Sequence, residues 1–341
     1  MIERCGAPTR SSNRNAHNDH VTAVVPVQGA ILDSVLDATC PISRDGLDRH
    51  AYGRFDAAQM KTPWGRRFQR RFALVEGGDL LASAARYDLA GRFEGRAVRI
   101  CGIGSVFTDP SRRGLGHARV LLETLLDEAA GKGAEVALLF SQAGLENDAP
   151  RGFEAIPSTE VTLDVASSRH GAPMTMVRGG EERDLAAIVA MGRVRAGPFR
   201  FHLDRDIDLI QYAITKKRLL AGLGSSDARQ LHFFIAEEGI TAAAYVVLSV
   251  AGGTWTLEEC GDRDVSGARV GALLQALIAR EPSERRPTIR AWLPPRFLPP
   301  QVTIVSATPS TEMMMVRMLS AAPILPPLSG DDVLYWRSDV F

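Results

Sequence analysis

The sequence predicts a mixed α/β (α+β) protein of two tandem domains, each built on a central, mainly antiparallel sheet flanked by helices. Three observations predict it. At 341 residues the chain is more than twice a typical domain length. Through residues 21–165, periods of two and of 3.6 succeed one another as strand, two helices, three strands, helix and strand, with one more strand to close. The same order of elements then recurs. Gly78 and Gly239, each in a predicted hairpin turn, lie 161 residues apart, and Cys101-Gly102 and Cys260-Gly261 lie 159 apart, as a duplication would place them.

The elements follow in order. Val21–Val27 reads as a strand, and Gly29–Thr39 as a helix with Ile31, Leu32, Val35 and Leu36 on one face. A weaker helical stretch runs from Ser43 to about Met60 and stops before Pro63. Strands at Phe72–Glu76, Leu80–Leu89 and Val98–Phe107 are separated by Gly77-Gly78-Asp79 and by a turn at residues 91–95. Leu115–Ala130 is the most regular helix, with Ala118, Leu121, Leu122, Leu125, Leu126 and Ala129 as its apolar stripe and Gly131 and Gly133 as its stop. Ala134–Phe140 reads as a buried strand, and Glu160–Val165 as the last strand of the first domain, 21–165. Residues 166–174 read as a linker. The second domain, 175–341, has a strand at Thr175–Val177, helices at 181–195 and 206–220, strands at 231–236, 242–250 and 254–259, a helix at 267–280 and a strand at 289–293. The Pro-rich stretch 294–300 and the tail 323–341 are assigned to that second copy.

Composition narrows the function classes. Apolar residues make up 45% and charged residues 23%, which excludes a collagenous or mostly disordered chain. Lys plus Arg equals Asp plus Glu at 40 each, and the balance holds in both halves, so no nucleic-acid or membrane-surface partner is expected. No apolar run approaches the roughly 18 residues of a membrane span. Cys5, Cys40, Cys101 and Cys260 are scattered without ligand spacing, as expected of reduced thiols in a cytoplasmic protein with no metal. Residues 1–20 are polar, lack an apolar core and are expected to be a disordered leader; His17 and His20 there have no third ligand nearby.

The chemistry concentrates at residues 102–118, Gly-Ile-Gly-Ser-Val-Phe-Thr-Asp-Pro-Ser-Arg-Arg-Gly-Leu-Gly-His-Ala. A strand ends at Phe107 and a helix begins within Arg113–Ala118. Small residues at 114, 116 and 118 let a ligand approach the backbone, and unpaired amides at a helix start favour an anion such as a pyrophosphate. Arg112 and Arg113 add positive charge. A Walker A loop is excluded, because Gly-Lys-Ser/Thr is absent, and a Gly-x-Gly-x-x-Gly fingerprint fails at Arg119.

This run resembles the acyl-CoA signature of the GCN5-related N-acetyltransferases (GNAT superfamily), Arg/Gln-x-x-Gly-x-Gly/Ala, matched here by Arg113-x-x-Gly116-x-Ala118. It stands where that family places it, after the fourth strand and opening the third helix, and the resemblance covers about Val21–Val165. Two consecutive domains, the first with the intact signature, are similar to the tandem group that includes mycothiol synthase and the Eis-type acetyltransferases. In the second copy Asp262 and Asp264 would repel a pyrophosphate, so that domain is expected to shape the substrate cleft and not to turn over acyl-CoA. Eis-type proteins also carry a third, sterol-carrier-like domain, for which 341 residues are expected to leave no room.

The resemblance implies acetyl-CoA as co-substrate, held by Ser105, Val106, Phe107, Arg112, Arg113, Gly114, Leu115, Gly116, His117 and Ala118, with a backbone amide near Val106 or Phe107 polarising the thioester. The family's usual proton donor, a Tyr in Tyr-x-x-x-Gly-Phe, is missing; counting back from Gly152-Phe153 puts Asp148 in its place, while Ser141 and Gln142, at the end of the fifth strand, are candidates to orient water or the leaving sulfur, the alternative being simple loop capping. The fourth strand carries no acid between Arg96 and Thr108, and Glu94 falls in the preceding turn. Eis-type enzymes use a terminal carboxylate as base, which makes the carboxyl of Phe341 the candidate here, the alternative being a last strand without chemistry. His50, Tyr52, Phe55, Trp64 and Trp336 are candidate walls of the substrate site, while Cys101 and Cys260, mid-strand, read as core. The expected function is acetyl transfer from acetyl-CoA to a primary amine of a small molecule, by direct attack in a ternary complex. The alternatives are a lysine or protein N-acetyltransferase and a non-catalytic acyl-CoA sensor. A homo-oligomer is possible.

Overall fold

The computed structural model describes residues 22–43, 46–141, 152–167, 176–224, 229–282, 284, 286–319 and 327–341. The leader with His17 and His20 lies outside the described residues, as do Gln142 and Asp148. Strand β1 (Thr22–Pro26) leads to helices α1 (Ala30–Ser43), α2 (Arg49–Lys61) and α3 (Pro63–Phe68). Strands β2 (Gln69–Glu76), β3 (Asp79–Phe93) and β4 (Arg96–Thr108) follow, then helix α4 (His117–Gly131) and strand β5 (Val136–Ser141). After β6 (Glu154–Ile156), β7 (Thr159–Val165) and β8 (Met176–Gly179) come α5 (Leu185–Ala196), β9 (Phe201–Leu203) and α6 (Ile207–Leu223). Strands β10 (Gln230–Glu238), β11 (Thr241–Ala251) and β12 (Thr254–Asp262) precede α7 (Ala268–Ile278), and β13 (Thr288–Ala291), β14 (Val302–Pro309), β15 (Met313–Met318) and β16 (Val333–Leu334) complete the chain.

Local chemistry accounts for the ends of the helices that frame the site. Asp48 caps α2 by accepting from Ala51 N–H at 2.7 Å. Pro63, expected only to stop a helix, instead opens α3 at its first position, where the missing N–H costs nothing, with Thr62 accepting from Gly65 N–H. Helix α4 stops at Gly133, whose φ of +88° lets Ala134 N–H reach back to Ala129 O and Gly133 N–H to Ala130 O. Leu121, Leu122, Leu125 and Leu126 are all buried against Cys101, Ile103, Ala137 and Leu139 of β4 and β5. Burial there pushes the Cys101 thiol up to about 12, and Cys260 is likewise buried.

The molecule has two mostly antiparallel sheets. The first runs β1-β2-β3-β4-β5-β15-β6, with β9 pairing the far end of β3 and β16 pairing β9; the second runs β14-β7-β13-β12-β11-β10-β8. Sheet membership does not follow the order of the two copies along the chain. Strand β7, expected to close the first domain, pairs with β13 and β14 in the second sheet. Strand β15, from the C-terminal half, fills the gap between β5 and β6. Met314 and Met315 of β15 are fully buried in the first half's cores, and Arg317 makes a two-pronged contact with Glu123 of α4 at 2.8 and 3.1 Å. The tail returns as well, since β16 joins the first sheet through β9. Alternation within a strand names its two faces but not its neighbours, so exchanged strands read from sequence as members of their own copy.

Residues 1–170 alone would expose the edge of β5 and the apolar faces that β15 and β9 cover. Expressed by themselves they are expected to show no cooperative thermal transition by circular dichroism, and co-expression with residues 171–341 should restore one.

Candidate active site

The site begins with a mismatch in strand pairing. Ser83 and Ala85 of β3 pair with Phe107 and Gly104 of β4, so two residues on one strand span three on the other. The surplus is a β-bulge at Ser105-Val106, with Ser105 at φ +49° and both residues exposed. On the other side, β4 pairs in parallel with β5 only from Ile100↔Val136 to Ile103↔Leu139, although β4 runs on to Thr108 and β5 to Ser141. Past Ile103 the two strands part. A notch opens there, and the bulged backbone borders it.

The loop beyond the bulge is held by its own residues. Asp109 accepts from Ser111 N–H and Oγ–H at 2.8 and 2.5 Å; these bonds, with Arg112 and Arg113 nearby, hold its carboxyl below the usual range. Arg112 donates to Asp79 at 2.8 Å, which ties the loop to the β2–β3 turn and leaves Arg113 as the outward arginine of the pair. Gly114 and Gly116 sit at φ +79° and +83°, with no atom within 4 Å of where a Cβ would be. Backbone conformation therefore calls for glycine there, and the space in front of it is open. Helix α4 starts at His117 with no side-chain cap on its first amides. Leu115 is 69% exposed beside them, and His117 and Ala118 are half-buried. An uncapped helix start of this kind leaves amides that can hold an anion.

The second half shows the same turn closed. Gly267 also has a left-handed φ, +72°, and begins α7 without a cap of its own. The carboxylate of Asp262 fills the position, accepting from the N–H groups of Arg269 at 2.8 Å and Val270 at 3.4 Å. Phe297 packs over Gly267, and Gln301 over Gly271. A second anion would meet both a fixed charge of its own sign and a filled space.

Phe341 lies on β4. Its ring packs against Gly102 and its C=O against Gly104; a Cβ on either glycine would come within 2.8 Å of it. Tyr87 packs on the Phe341 ring at 4.5 Å with the ring planes tilted, and Phe140 meets it edge-on at 5.3 Å. Lys216 of α6 donates to Val340 O at 2.9 Å. Gly102 and Gly104 face away from α4, on the side opposite Cys101 and Ile103, so the carboxyl of Phe341 sits one residue before the bulge. The glycines that seat it, with Tyr87 and Lys216, escaped the sequence reading; the pair Gly102-x-Gly104 within an apolar strand was the one signal available. Burial pushes the Tyr87 hydroxyl up to about 12, against the opposing effect of Arg71, which is paired with Asp56 at 2.5 Å.

The remaining candidates are placed as follows. Ser141 is buried at the end of β5, paired with Met313 of β15. His50 is exposed on α2. Tyr52 and Phe55 pack into a cluster with Leu36, Cys40 and Leu47, and the Tyr52 hydroxyl lies 3.1 Å from that of Thr39. Trp64 is buried against Tyr212 at 4.7 Å and lines a cavity of about 370 Å3. Trp336 lies in the core of the second half and lines a cavity of about 560 Å3, together with His202, Arg205 and Asp339. Neither cavity includes residues 105–118, so the notch, where backbone amides and an open helix start converge, is the better candidate for the chemistry. Among the described residues no group of three or more His, Cys, Asp or Glu could hold a metal ion, and no helix is long and apolar enough to cross a membrane.

Residues 46–146 match the family model of the acetyltransferase (GNAT) domain, a span that contains β4, the loop and α4. No curated protein matches the sequence at a significant level. Among solved structures, the chain is similar to a GCN5-related N-acetyltransferase from Kribbella flavida, at 18% identity and a TM-score of 0.64, over 87% of this chain and 71% of that one. It is also similar to Eis1 from Mycobacterium abscessus, at 14% identity and a TM-score of 0.54, over 88% and 74% of the two chains. N-myristoyltransferase from Saccharomyces cerevisiae with bound myristoyl-CoA shares the fold at 9% identity and a TM-score of 0.52, over 93% and 85%. Residues 46–146 thus match the GNAT acetyltransferase domain model, within a two-sheet fold that the chain shares with these structures.

Proposed function

We propose that the protein transfers an acetyl group from acetyl-CoA to a primary amine of a small molecule, in one step within a ternary complex. The observation that carries this reading is the bulge at Ser105-Val106 beside the uncapped start of α4, at the mouth of the β4–β5 notch. The coenzyme's pyrophosphate would lie on the amides of Gly114–Ala118, with Arg113 beside it, and the pantetheine arm would run along β4 into the notch. There the amide of Val106 or Phe107 meets the thioester carbonyl and stabilises the negative charge that develops on its oxygen. The amine nitrogen attacks the carbonyl carbon, the C–S bond breaks, and the thiolate of CoA leaves.

Two proton transfers accompany the attack. The Phe341 carboxylate, over Gly104, takes the proton of the attacking amine. The departing sulfur takes one from Asp148 or from a water oriented by Ser141 at the end of β5. The closed helix start of the second half leaves one coenzyme site per chain.

The reading is tested by following CoA release with spermidine, tyramine, kanamycin and an Nα-blocked lysine peptide as acceptors. Release with one of the small amines is expected. Turnover confined to the peptide would favour a protein acetyltransferase, and binding of acetyl-CoA without turnover would favour a sensor. Calorimetric titration should find one acetyl-CoA per chain; two would overturn the assignment of the second half.

Removing Phe341 is expected to lower kcat by about 100-fold or more while leaving acetyl-CoA affinity within about twofold. Gly116→Val should act the other way round. A β-branched residue at φ +83° relaxes the free loop, and restoring the loop on binding costs about 1–3 kcal/mol, so Kd for acetyl-CoA rises by roughly 5- to 150-fold.

A further inference from the structure

The segment that ends at Phe341 is held by a buried ionic cluster that the acetyl-transfer reading does not use. Arg205, between β9 and α6, donates to both oxygens of Glu259 at 2.8 and 2.6 Å, and its Nε lies 2.9 Å from Asp339 Oδ1. Glu259 also accepts from Ser338 Oγ–H at 2.7 Å and Tyr245 O–H at 2.5 Å. Asp339 accepts from Trp336 N–H at 2.9 Å, which folds the residues before Phe341 into a tight turn. Glu259 is fully buried and Asp339 nearly so. Burial pushes both carboxyls up; at Glu259 the Arg205 guanidinium and the two hydroxyls outweigh it, whereas Asp339 stays raised.

Stability alone does not account for such a cluster. Desolvating a guanidinium and two carboxylates is costly, and apolar replacements of similar volume are often as stable. An ionic network does specify geometry, since each partner has one arrangement that satisfies the rest. The position is telling. Glu259 stands on β12, the counterpart of β4 in the half whose helix start is closed, and Ser338 and Asp339 stand three and two residues before Phe341.

We infer that Arg205, Glu259 and Asp339 are positioning residues for acetyl transfer, anchoring the Trp336–Phe341 segment so that the Phe341 carboxyl lies over Gly104. The inference rests on the reading of Phe341 as the base. It gives the second half a role in the reaction: its β12 holds the group that acts on a substrate bound to the first half's β4.

The test is Asp339→Asn in the full-length chain, with and without Phe341. Asparagine keeps the acceptor for Trp336 N–H and loses the charge facing Arg205. With Phe341 present, kcat for the best of the four probe amines should fall by about 10- to 100-fold, as misplacement of a reacting group by about 1 Å does, with acetyl-CoA affinity unchanged. Carboxypeptidase A should release Phe341 faster from the variant than from the parent. In the chain lacking Phe341, Asp339→Asn should change kcat less than about twofold, because the residue acts through the group already removed. An equal loss in both backgrounds, or unchanged Phe341 release, overturns the inference. If removing Phe341 leaves turnover intact, the base assignment fails, while the release rate still decides whether the cluster anchors the segment. Should Asp339→Asn not fold, Ser338→Ala removes one hydroxyl from Glu259 and is expected to show the same pattern at smaller amplitude.

Discussion

Strand β4 has to be sealed along one half of its length and open along the other. From Arg96 to Ile103 it is paired with β3, from Ile100 to Ile103 with β5 as well, and it buries Ile100, Cys101 and Ile103 in the core. From Gly104 onward the extra residue at Ser105-Val106 breaks register with β3, and the pairing with β5 ends. Everything proposed for the site depends on that change. The bulge turns backbone toward the notch, the notch ends at the loop of Gly114 and Gly116, and the glycines just before it receive Phe341. A polar backbone left without a strand partner is ordinarily costly, and its retention beside an open helix start is what the proposed coenzyme site rests on.

The two halves resolve the same geometry in opposite ways. Both have a strand, a glycine at left-handed φ and a helix beginning just after it. In the first half the amides at the helix start lack a side-chain cap; in the second, the Asp262 carboxylate occupies them, backed by Phe297 and Gln301. A carboxylate built into the chain satisfies the helix dipole without the entropy loss of recruiting an outside anion, so the second copy is stable and closed. Released from holding a coenzyme, its β12 is available to hold the tail through Glu259.

Exchange of β7 and β15 makes the halves one folding unit. Each sheet contains a strand from the other copy, and the tail adds β16 to the first sheet. The proximity of Phe341 to Gly104 is therefore rigidly specified: Arg317 to Glu123, Arg205 to Glu259 and Lys216 to Val340 are all bonds between distant parts of the chain. With so many fixed points, a displacement at β12 is transmitted to β4 through packed and ion-paired groups.

Much of this was legible in the sequence, because it is encoded over short spans. The stripe from Leu121 to Ala129 determines α4, the alternation around Val98–Phe107 determines β4, and Gly114-x-Gly116 ahead of an apolar helix marks an anion site, since periodicity and backbone freedom are local properties. The acids at Asp262 and Asp264 likewise marked the second turn as unsuited to a pyrophosphate. Tertiary structure alone decided which strand pairs with which, that β7 and β15 change places, that Tyr52 and Phe55 are spent on packing, and where the buried charges of Arg205, Glu259 and Asp339 meet. Most of these depend on contacts between residues far apart in the chain, whose energies come from burial and complementary shape, and no local pattern records which surface a side chain will meet.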